Sequence, residues 1–349
     1  MIARDWFWLY RPEAPSTRAQ SVQVVNAAHA MAARGHRVEL CVEGQGTVAE
    51  VLAAYGLEPV PTLRLAVLPV RRTLASALYR ARFAAWVART GGRGIALARR
   101  KRHADRALRW FGGRFRLLLE VHEVDSAVDR EPWYALEQRV LRGAWGVVAN
   151  APGTLALLRE VHPVLPPSIV LHNGARPAPP PDPEGEGIGI VGSVRPYKDP
   201  ETVARAAERT RERITWVGGH GAPTGGRLRI EAAVPYREVP GRIARFRTLL
   251  LPLSPGLFGE RLTSPLKLWD ALQSGVPLVA ADTGAVRAAA EGAYVPYVPG
   301  DAGSLADALD RASSDEDLRR TVVARARARA RTWGGRAAEL EAFADRILG

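Results

Sequence analysis

Residues 264–282 read SPLKLWDALQSGVPLVAAD and predict a loop, a helix and a buried strand in succession. Ser264 is a favourable N-cap and Pro265 a favourable first helical residue, so we expect the helix to begin there. Gly275 is a typical helix terminator. The apolar run 276–281 is short enough to be a buried strand of a parallel sheet. This succession is typical of an α/β fold in which strands alternate with helices.

The start of this helix carries the polar groups of the stretch. A helix that begins at Pro265 leaves the backbone N–H groups of Leu266 and Lys267 without acceptors at its positive end. Lys267 and Asp270 are three residues apart, so both lie on one face of the helix. Such a helix start attracts phosphate, and we therefore expect an anion site here.

A second candidate loop follows another predicted strand in the stretch IGIVGSVRPYKD, residues 188–199. Gly192 and Ser193 allow the backbone to approach a ligand closely, and Arg195 and Lys198 supply positive charge. Taken alone, this motif is more typical of an ordinary α/β turn. Together with the stretch at 264–270, it predicts two cationic segments that meet around one anionic group.

Both segments resemble signatures of retaining GT-B glycosyltransferases of the GT4 type, S-P-L-K subgroup: sPLKLfEymaaGkPvV and G-[RS]-L-x-P-x-K-G. The resemblance covers most of the chain. It implies an α/β fold of two Rossmann-like, doubly wound domains that face a central cleft, with a C-terminal helix that crosses back. It also implies that a nucleoside diphosphate sugar binds to the second domain, through Gly192, Ser193, Ser264, Pro265, Leu266, Lys267, Asp270 and Tyr236. Tyr236 is a candidate platform for the base, with an ordinary turn as the equal alternative.

The chain departs from these signatures at positions that contact the donor. The family has a glutamate at Asp270, which holds the ribose, and here a shorter carboxylate would do so. A second family glutamate, which contacts the sugar, is replaced by Leu262, so that role requires Glu260 or Ser264. In the other segment Ser193 replaces an arginine, and Asp199 replaces a glycine. We expect Arg195 to supply the missing guanidinium.

The first half of the chain opens as a doubly wound fold does, with a strand at 5–10, a loop at 11–20 and a helix from Ser21 to Arg34. The sequence from Gln23 to Val38 resembles the entry helix of the same family. The family often has glycines in the preceding loop, and this chain has none there. We therefore assign Arg18, Gln20 and Ser21, together with Glu123, to the acceptor side of the site.

The strand predicted at 117–122 ends in the polar residues Glu120, His122 and Glu123. Ligands of open α/β sheets bind at the carboxyl ends of strands. The sequence Glu-Val-His-Glu resembles the E-x-H-[DE] element of the family, whose histidine approaches the donor sugar. A strand-end histidine with a purely structural role is the alternative. We assign His122, Arg195 and Lys198 as the catalytic residues.

Composition limits the functional classes. The 349 residues are enough for two α/β domains, and Cys41 is the only cysteine, so no disulfide framework or thiolate metal cluster can form within one chain. The histidines show no zinc-binding spacing, and we expect neither a cofactor nor a metal. No apolar run is long enough to cross a bilayer and no signal peptide is recognisable, so we expect a cytoplasmic protein.

The net charge of +13 is concentrated in one stretch, because residues 71–116 hold 14 Lys and Arg but only one acid, Asp105. One interpretation is a solvated arginine-rich face. The other is a surface that docks on an anionic acceptor or on the inner face of the cell membrane. Nucleic acid is disfavoured, because no RNP, zinc-finger or GXXG motif is present. The spacing of the aromatic residues suits a buried helix face as well as a stacking platform for bases: Tyr79, Phe83, Trp86, Trp110 and Phe111.

These observations predict an acceptor domain at 1–174, a Pro/Gly-rich linker at 175–187, a donor domain at 188–332 and a terminal helix at 333–349. Further strands are expected at 146–150, 169–174, 214–219 and 248–252, and one helix at 302–331. The resemblance implies a retaining, metal-independent glycosyltransferase acting on a glycolipid or a cell-surface polysaccharide precursor. A sugar-nucleotide epimerase and a catalytically degraded binding protein are the alternatives. The sequence leaves the oligomeric state open.

Overall fold

The computed structural model describes residues 3–70, 72–223 and 225–349, so Arg71 of the basic stretch lies outside the described residues. The chain divides into two compact units. The first comprises Met1–His172 together with Trp333–Gly349, and the second comprises Asn173–Thr332.

Strands and helices alternate along both units. The strands are β1 (Asp5–Trp8), β2 (Arg37–Glu43), β3 (Leu63–Leu68), β4 (Ile95–Ala98), β5 (Arg116–Val121), β6 (Gly146–Ala149), β7 (Ser168–Val170), β8 (Ile188–Val191), β9 (Ile214–Val217), β10 (Leu228–Glu231), β11 (Thr248–Leu251), β12 (Leu278–Ala281) and β13 (Val295–Tyr297). The helices are α1 (Ala19–Ala33), α2 (Val48–Ala54), α3 (Arg72–Thr90), α4 (Lys101–Phe111), α5 (Asp125–Val128), α6 (Arg130–Gly143), α7 (Pro152–Val161), α8 (Pro200–Ala207), α9 (Val239–Ala244), α10 (Leu266–Ser274), α11 (Gly284–Ala290), α12 (Ala302–Ser314), α13 (Glu316–Arg329) and α14 (Trp333–Leu348).

The first unit is built on a parallel sheet in the order β3-β2-β1-β4-β5-β6-β7. Its centre is aromatic: Phe7 of β1 is buried against Phe83 and Trp86 of α3. Phe83 and Trp86 therefore form a buried helix face, one of the arrangements predicted for the aromatic residues of the basic stretch. Burial on both faces is typical of parallel strands, which explains why these strands are apolar throughout.

Helix α14 belongs to the first unit, where it packs against α1. Its apolar stripe includes Leu340 and Phe343, and both side chains are buried. Gly146 at the start of β6 is required here, because a Cβ at this position would lie 2.8 Å from Ile347 and 2.9 Å from Phe343. The last helix thus closes one face of a sheet that begins more than 300 residues earlier.

The second unit repeats the same winding. Its parallel sheet has the order β10-β9-β8-β11-β12-β13, with β8 as the first strand in sequence. Each sheet therefore changes winding direction between its first and fourth strands. In doubly wound folds this point opens a crevice at the carboxyl ends of the strands, where ligands bind. In the second unit that crevice lies after β8 and β11.

The structure corrects several sequence predictions. Helix α1 begins at Ala19 and not at Ser21, so Ser21 is the third residue of its first turn. The helix expected at 302–331 is two helices, because the Asp315 side chain accepts the N–H of Leu318 and caps α13. Strands β3, β4 and β13 were not identified, since short strands lack a periodicity that separates them from loops. Within the described residues, no helix has the length and apolar character needed to cross a membrane.

Candidate functional site

The two predicted cationic segments meet at Gly192, directly after β8. A Cβ at this position would lie 3.0 Å from Nζ of Lys198 and 4.0 Å from Cε of Lys267. Gly192 has φ +117°, a backbone conformation that favours glycine. Its carbonyl accepts a 2.7 Å hydrogen bond from Nε1 of Trp216, and its N–H donates to Val217. These two hydrogen bonds with the neighbouring strand β9 therefore fix the backbone turn.

Lys198 is the electrostatic centre of this site. Burial, followed by the charges of Lys267 and Arg195, lowers the pKa of Lys198 to about 8. Among the described residues, Lys198 has no carboxylate within ion-pair distance. Arg195 is exposed at the start of the 3-10 turn Pro196–Lys198. Lys267 pairs with Asp270, whereas Lys198 stands beside two other cations without a carboxylate of its own in the described part of the chain. A bound anion would relieve the electrostatic cost of this arrangement.

The residue after Lys198 explains one departure from the family signature. Asp199 has φ 47° and ψ 57°, the left-handed conformation that glycine adopts most easily. Asp is one of the few other residues that tolerate it. The Asp199 side chain also accepts the N–H of Thr202 and so caps α8. The backbone shape is kept although the glycine is not.

The start of α10 differs from the prediction. Pro265 occupies the N-cap position and Leu266 is the first helical residue. Ser264 does not cap the helix, because its hydroxyl accepts a 3.2 Å hydrogen bond from Nε1 of Trp269. Its carbonyl accepts from the side chain of Asn173. The first N–H groups of α10 have no acceptor inside the helix, as the sequence predicted. Gly275 ends the helix in the left-handed conformation, also as predicted.

Asp270 and Tyr236 form the floor of the site. Nζ of Lys267 lies 2.9 Å from Oδ2 of Asp270 and 5.2 Å from the centre of the Tyr236 ring. The Tyr236 hydroxyl lies 3.5 Å from Oδ1 of the same carboxylate. Asp270 and Tyr236 are both buried. The Tyr236 ring therefore supports Lys267 and does not present an open stacking surface.

The two candidate replacements for the glutamate missing at Leu262 are both engaged in other contacts. Leu262 is buried in the π-helical turn Phe258–Leu262. The carboxylate of Glu260 accepts the N–H of Gly284 at 2.7 Å and lies 3.7 Å from Arg287. Glu260 thus caps the start of α11, while the Ser264 hydroxyl is held by Trp269. Ser193 is exposed beside Gly192.

In the first unit, His122 lies at the carboxyl end of β5 beside a buried charge network. Its Nε2 is 3.3 Å from Oε1 of Glu120, and its Nδ1 is 3.4 Å from the amide nitrogen of Asn150. Burial and the charge of Arg99 lower the pKa of His122 to about 4. The imidazole is therefore neutral at pH 7 and can serve as a hydrogen-bonding group.

Glu120 is held by side chains from distant parts of the chain. Arg336 of α14 donates to Oε1 of Glu120 at 2.6 Å, and Gln23 of α1 donates to the same oxygen at 2.8 Å. Arg99 in turn donates to the amide oxygen of Gln23. Burial would raise the pKa of Glu120, but Arg336, His122 and Arg99 hold it well below its ordinary value. Glu120 is thus a paired buried carboxylate.

The predicted acceptor-side residues differ in exposure and in their partners. Arg18 is exposed and pairs with Glu13, while Gln20 is half-buried. The Ser21 hydroxyl is buried and, among the described residues, has no hydrogen-bond partner. Glu123 is exposed, and its carbonyl accepts from Lys101 at 2.6 Å.

Metal ligands do not gather in the structure. Among the described residues, no group of three His, Cys, Asp or Glu side chains could hold a metal ion. The chain has an Asp-x-Asp pattern at 315–317, but Asp315 caps α13 and Asp317 pairs with Arg320.

Several residues of these sites were not identified from the sequence. Each of them donates a hydrogen bond to a residue far away along the chain: Trp216, Asn173, Gln23 and Arg336. Of these four, Trp216 could have been suspected, because it lies in the predicted strand that follows the glycine loop along the chain.

No protein-family model and no curated protein sequence matches the chain. Solved structures do match over almost its whole length. Sucrose-phosphate synthase from Thermosynechococcus elongatus has a TM-score of 0.75 at 18% identity, covering 99% of both chains. HepE from Anabaena, in complex with UDP and glucose, has a TM-score of 0.73 at 12% identity, covering 99% of this chain and 100% of the other.

WaaG, a glycosyltransferase involved in lipopolysaccharide biosynthesis, has a TM-score of 0.62 at 14% identity, covering 99% of both chains. At these identities the likeness establishes the fold. Both parallel sheets agree with it. The protein has the α/β fold of the GT-B glycosyltransferases.

Proposed function

We propose that this protein is a glycosyltransferase that moves a sugar from a nucleoside diphosphate sugar to an acceptor. The observation that carries the proposal is the convergence of Lys198 and Lys267 on Gly192 at the switch point of the second sheet. A diphosphate is the anion that a paired lysine site of this kind suits best. HepE, which shares the fold, was crystallised with UDP and with UDP-glucose.

Each group of the site has a role in this proposal. Lys198, Lys267 and Arg195 neutralise the charge that builds on the leaving diphosphate. Backbone from Gly192 to Ser193 and from Pro265 to Leu266 lets the phosphates approach closely. Asp270 accepts hydrogen bonds from the ribose hydroxyls. Protein cations at the leaving group would make a divalent metal unnecessary.

We propose retention of the anomeric configuration without a protein nucleophile. Leu262 replaces the family glutamate, and the Glu260 carboxylate caps α11. A departing phosphate oxygen that takes the proton of the acceptor hydroxyl would deliver the acceptor to the same face of the sugar. The bond from the anomeric carbon to the phosphate oxygen breaks as the bond to the acceptor oxygen forms. Neutral His122 would hydrogen-bond to the sugar.

Calorimetric titration of UDP into the purified protein tests the donor site. Asp270→Asn should weaken UDP about tenfold through loss of hydrogen bonds to a charged group. Asp270→Glu should bind nearly as well as the unmodified protein, because the family carries that longer carboxylate. His122→Ala should lower turnover and leave UDP affinity unchanged. Unchanged UDP affinity in both Asp270→Asn and Lys198→Met would refute the site assignment.

Thermal stabilisation by a panel of nucleoside diphosphates identifies the preferred base, since a ligand that binds only the native state raises the melting temperature. Product analysis separates the alternatives. An epimerase converts the donor without an acceptor. A binding protein that has lost catalysis, an idea favoured by Leu262 and Ser193, releases no nucleoside diphosphate from any donor.

We also propose that the basic stretch at 71–116 docks on an anionic membrane that presents the acceptor. The stretch forms α3, β4 and α4, which bring many arginines to the surface of the first unit. Each basic residue near an anionic membrane contributes about 1 kcal/mol. Equal sedimentation with neutral and anionic vesicles would contradict the docking. Salt-sensitive binding of oligonucleotides would favour a nucleic-acid partner instead.

A further inference from the structure

Helix α3 carries exposed apolar side chains on its outer side, in addition to those on the side that faces the core. Phe83 and Trp86 are buried in the core. On the other side, Leu74 and Leu78 lie one turn apart, and they are 50% and 40% exposed. A helix that faces water on one side normally carries polar residues there. The outer side of α3 is therefore suited to an apolar partner.

An open groove runs along this side of α3. It encloses about 710 Å³ between α3, strand β3 and the start of α2. Small-molecule sites typically measure about 300–1,000 Å³. The lining is mostly apolar and includes Val48, Leu65, Val67, Leu78, Ala81 and Arg82.

The groove lacks a cover within the first unit. Strand β3 is the edge of the seven-stranded sheet, so no further strand pairs beyond it. Val48 is 38% exposed at the groove. Glu50 is the acidic residue nearest to Val48 along the chain. Its carboxylate accepts the N–H of Thr47 and so caps α2. A contiguous exposed apolar surface of this kind marks an interaction site.

Helix α3 also carries positive charge on its exposed sides. Helix α3 contains no acidic residue between Arg72 and Thr90. Arg80 lies 5.9 Å from the ring of Trp110, which is 54% exposed. Arg82 lies at the groove itself and is half-exposed, although it also approaches buried Glu39. An exposed tryptophan beside arginines is typical of a surface that meets lipid head groups.

We propose that this groove takes an acyl chain of an anionic phospholipid, with the phosphate of the head group among the arginines of α3. The apolar lining and the exposed leucines match the acyl chain of such a lipid, and Arg82 at the groove matches its phosphate. An acidic peptide would satisfy the arginines but would leave the leucines in water. The inference rests on the proposed membrane docking, and it adds the site of chain insertion.

The first experiment tests lipid binding in the groove when no bilayer is present. Lysophosphatidylglycerol below its critical micelle concentration is titrated against the full chain. Leu74→Ser/Leu78→Ser should weaken binding by about tenfold or more, because apolar burial is lost. Ala81→Trp should also weaken it, because the indole fills the groove without changing charge. Val164→Ser is the matched control, since Val164 is 89% exposed elsewhere in the first unit and should have no effect.

The second experiment reports the depth of insertion. A bimane label on Leu78→Cys should be quenched more by spin labels deep in the acyl chain than by labels at the head group, in vesicles that contain phosphatidylglycerol. Labelling is selective, because Cys41 is buried and its burial raises the pKa of the thiol to about 11. The same samples are titrated with UDP, so that loss of the donor site is seen separately.

The outcomes are distinct. If the leucine variants dock on anionic vesicles as well as the unmodified protein does, the proposed insertion of an acyl chain into the groove is wrong. Docking through the charged surface would then stand alone. Absence of lysophosphatidylglycerol binding would overturn the proposal. If the unmodified protein forms a dimer, the groove variants do not, and no lipid binds, the proposal is also overturned. The groove would then be covered by a second copy of the chain. None of these results depends on UDP affinity.

Discussion

Both units place charges at the carboxyl end of a parallel strand, yet the charges are matched differently. Beside the end of β5 in the first unit, buried Glu120 is matched by Arg336 and Gln23. At the end of β8 in the second, Lys198 faces Lys267 and Arg195. Paired charges hold a structure together, whereas unmatched cations are stabilised when an anion arrives. The comparison therefore separates a structural network from a binding site.

The largest expected effect comes from breaking the paired network. Arg336→Met leaves Glu120 buried without its main cation, which should lower the free energy of unfolding by about 3–5 kcal/mol. Chemical denaturation measures this. Arg320→Met on the exposed face of α13 is the control and should change stability little. If the double variant Glu120→Leu/Arg336→Met is no more stable than Arg336→Met alone, the pairing explanation is wrong.

Removal of one unmatched cation should have the opposite effect on stability. Lys198→Met relieves repulsion, so the protein without ligand should be unchanged or more stable. The same variant should bind UDP about tenfold to a hundredfold more weakly, because a hydrogen bond between charged groups is lost. Melting temperature and calorimetry give the two values. A variant that both melts earlier and binds UDP normally would reverse our interpretation of the cluster.

The pH dependence sharpens the same contrast. The folded protein has a Lys198 pKa of about 8, below the ordinary value of 10.5, so the ammonium loses its proton as pH rises through about 8. Bound diphosphate favours the charged form, and UDP affinity should therefore fall above about pH 8. Stability without ligand should rise over the same interval, because the folded state no longer carries a disfavoured charge. Lys198→Met should abolish both trends, which calorimetry and thermal melts across this interval would check.

The smallest expected effect concerns the turn beside Lys198. Asp199→Gly removes the cap of α8 and also relieves a left-handed conformation. These contributions oppose each other, so stability should change by less than about 0.5 kcal/mol. Asp199→Val offers no cap and cannot adopt this conformation easily, and it should cost clearly more. Equal stability of both variants, by urea denaturation, would show that the backbone of the turn has rearranged.

The sequence predicted what is encoded locally. The strand and loop at 188–199 and the helix that ends at Gly275 are recognisable from neighbouring residues, and the family resemblance linked them. The partner of Glu120 could not be predicted in this way, because Arg336 lies 216 residues away. The predicted N-cap role of Ser264 was wrong for a different reason, because Trp269, only five residues later, donates to its hydroxyl. Side-chain contacts decide such roles, and local propensity does not report them.

The return of α14 to the first unit has a consequence for synthesis. The second unit is one continuous segment, Asn173–Thr332, and it can complete its fold as soon as that segment leaves the ribosome. The first unit is made earlier but waits, with the carboxylate of Glu120 lacking its cation, until residue 336 emerges. Translation order and folding order are therefore reversed: the half synthesised first is the half finished last.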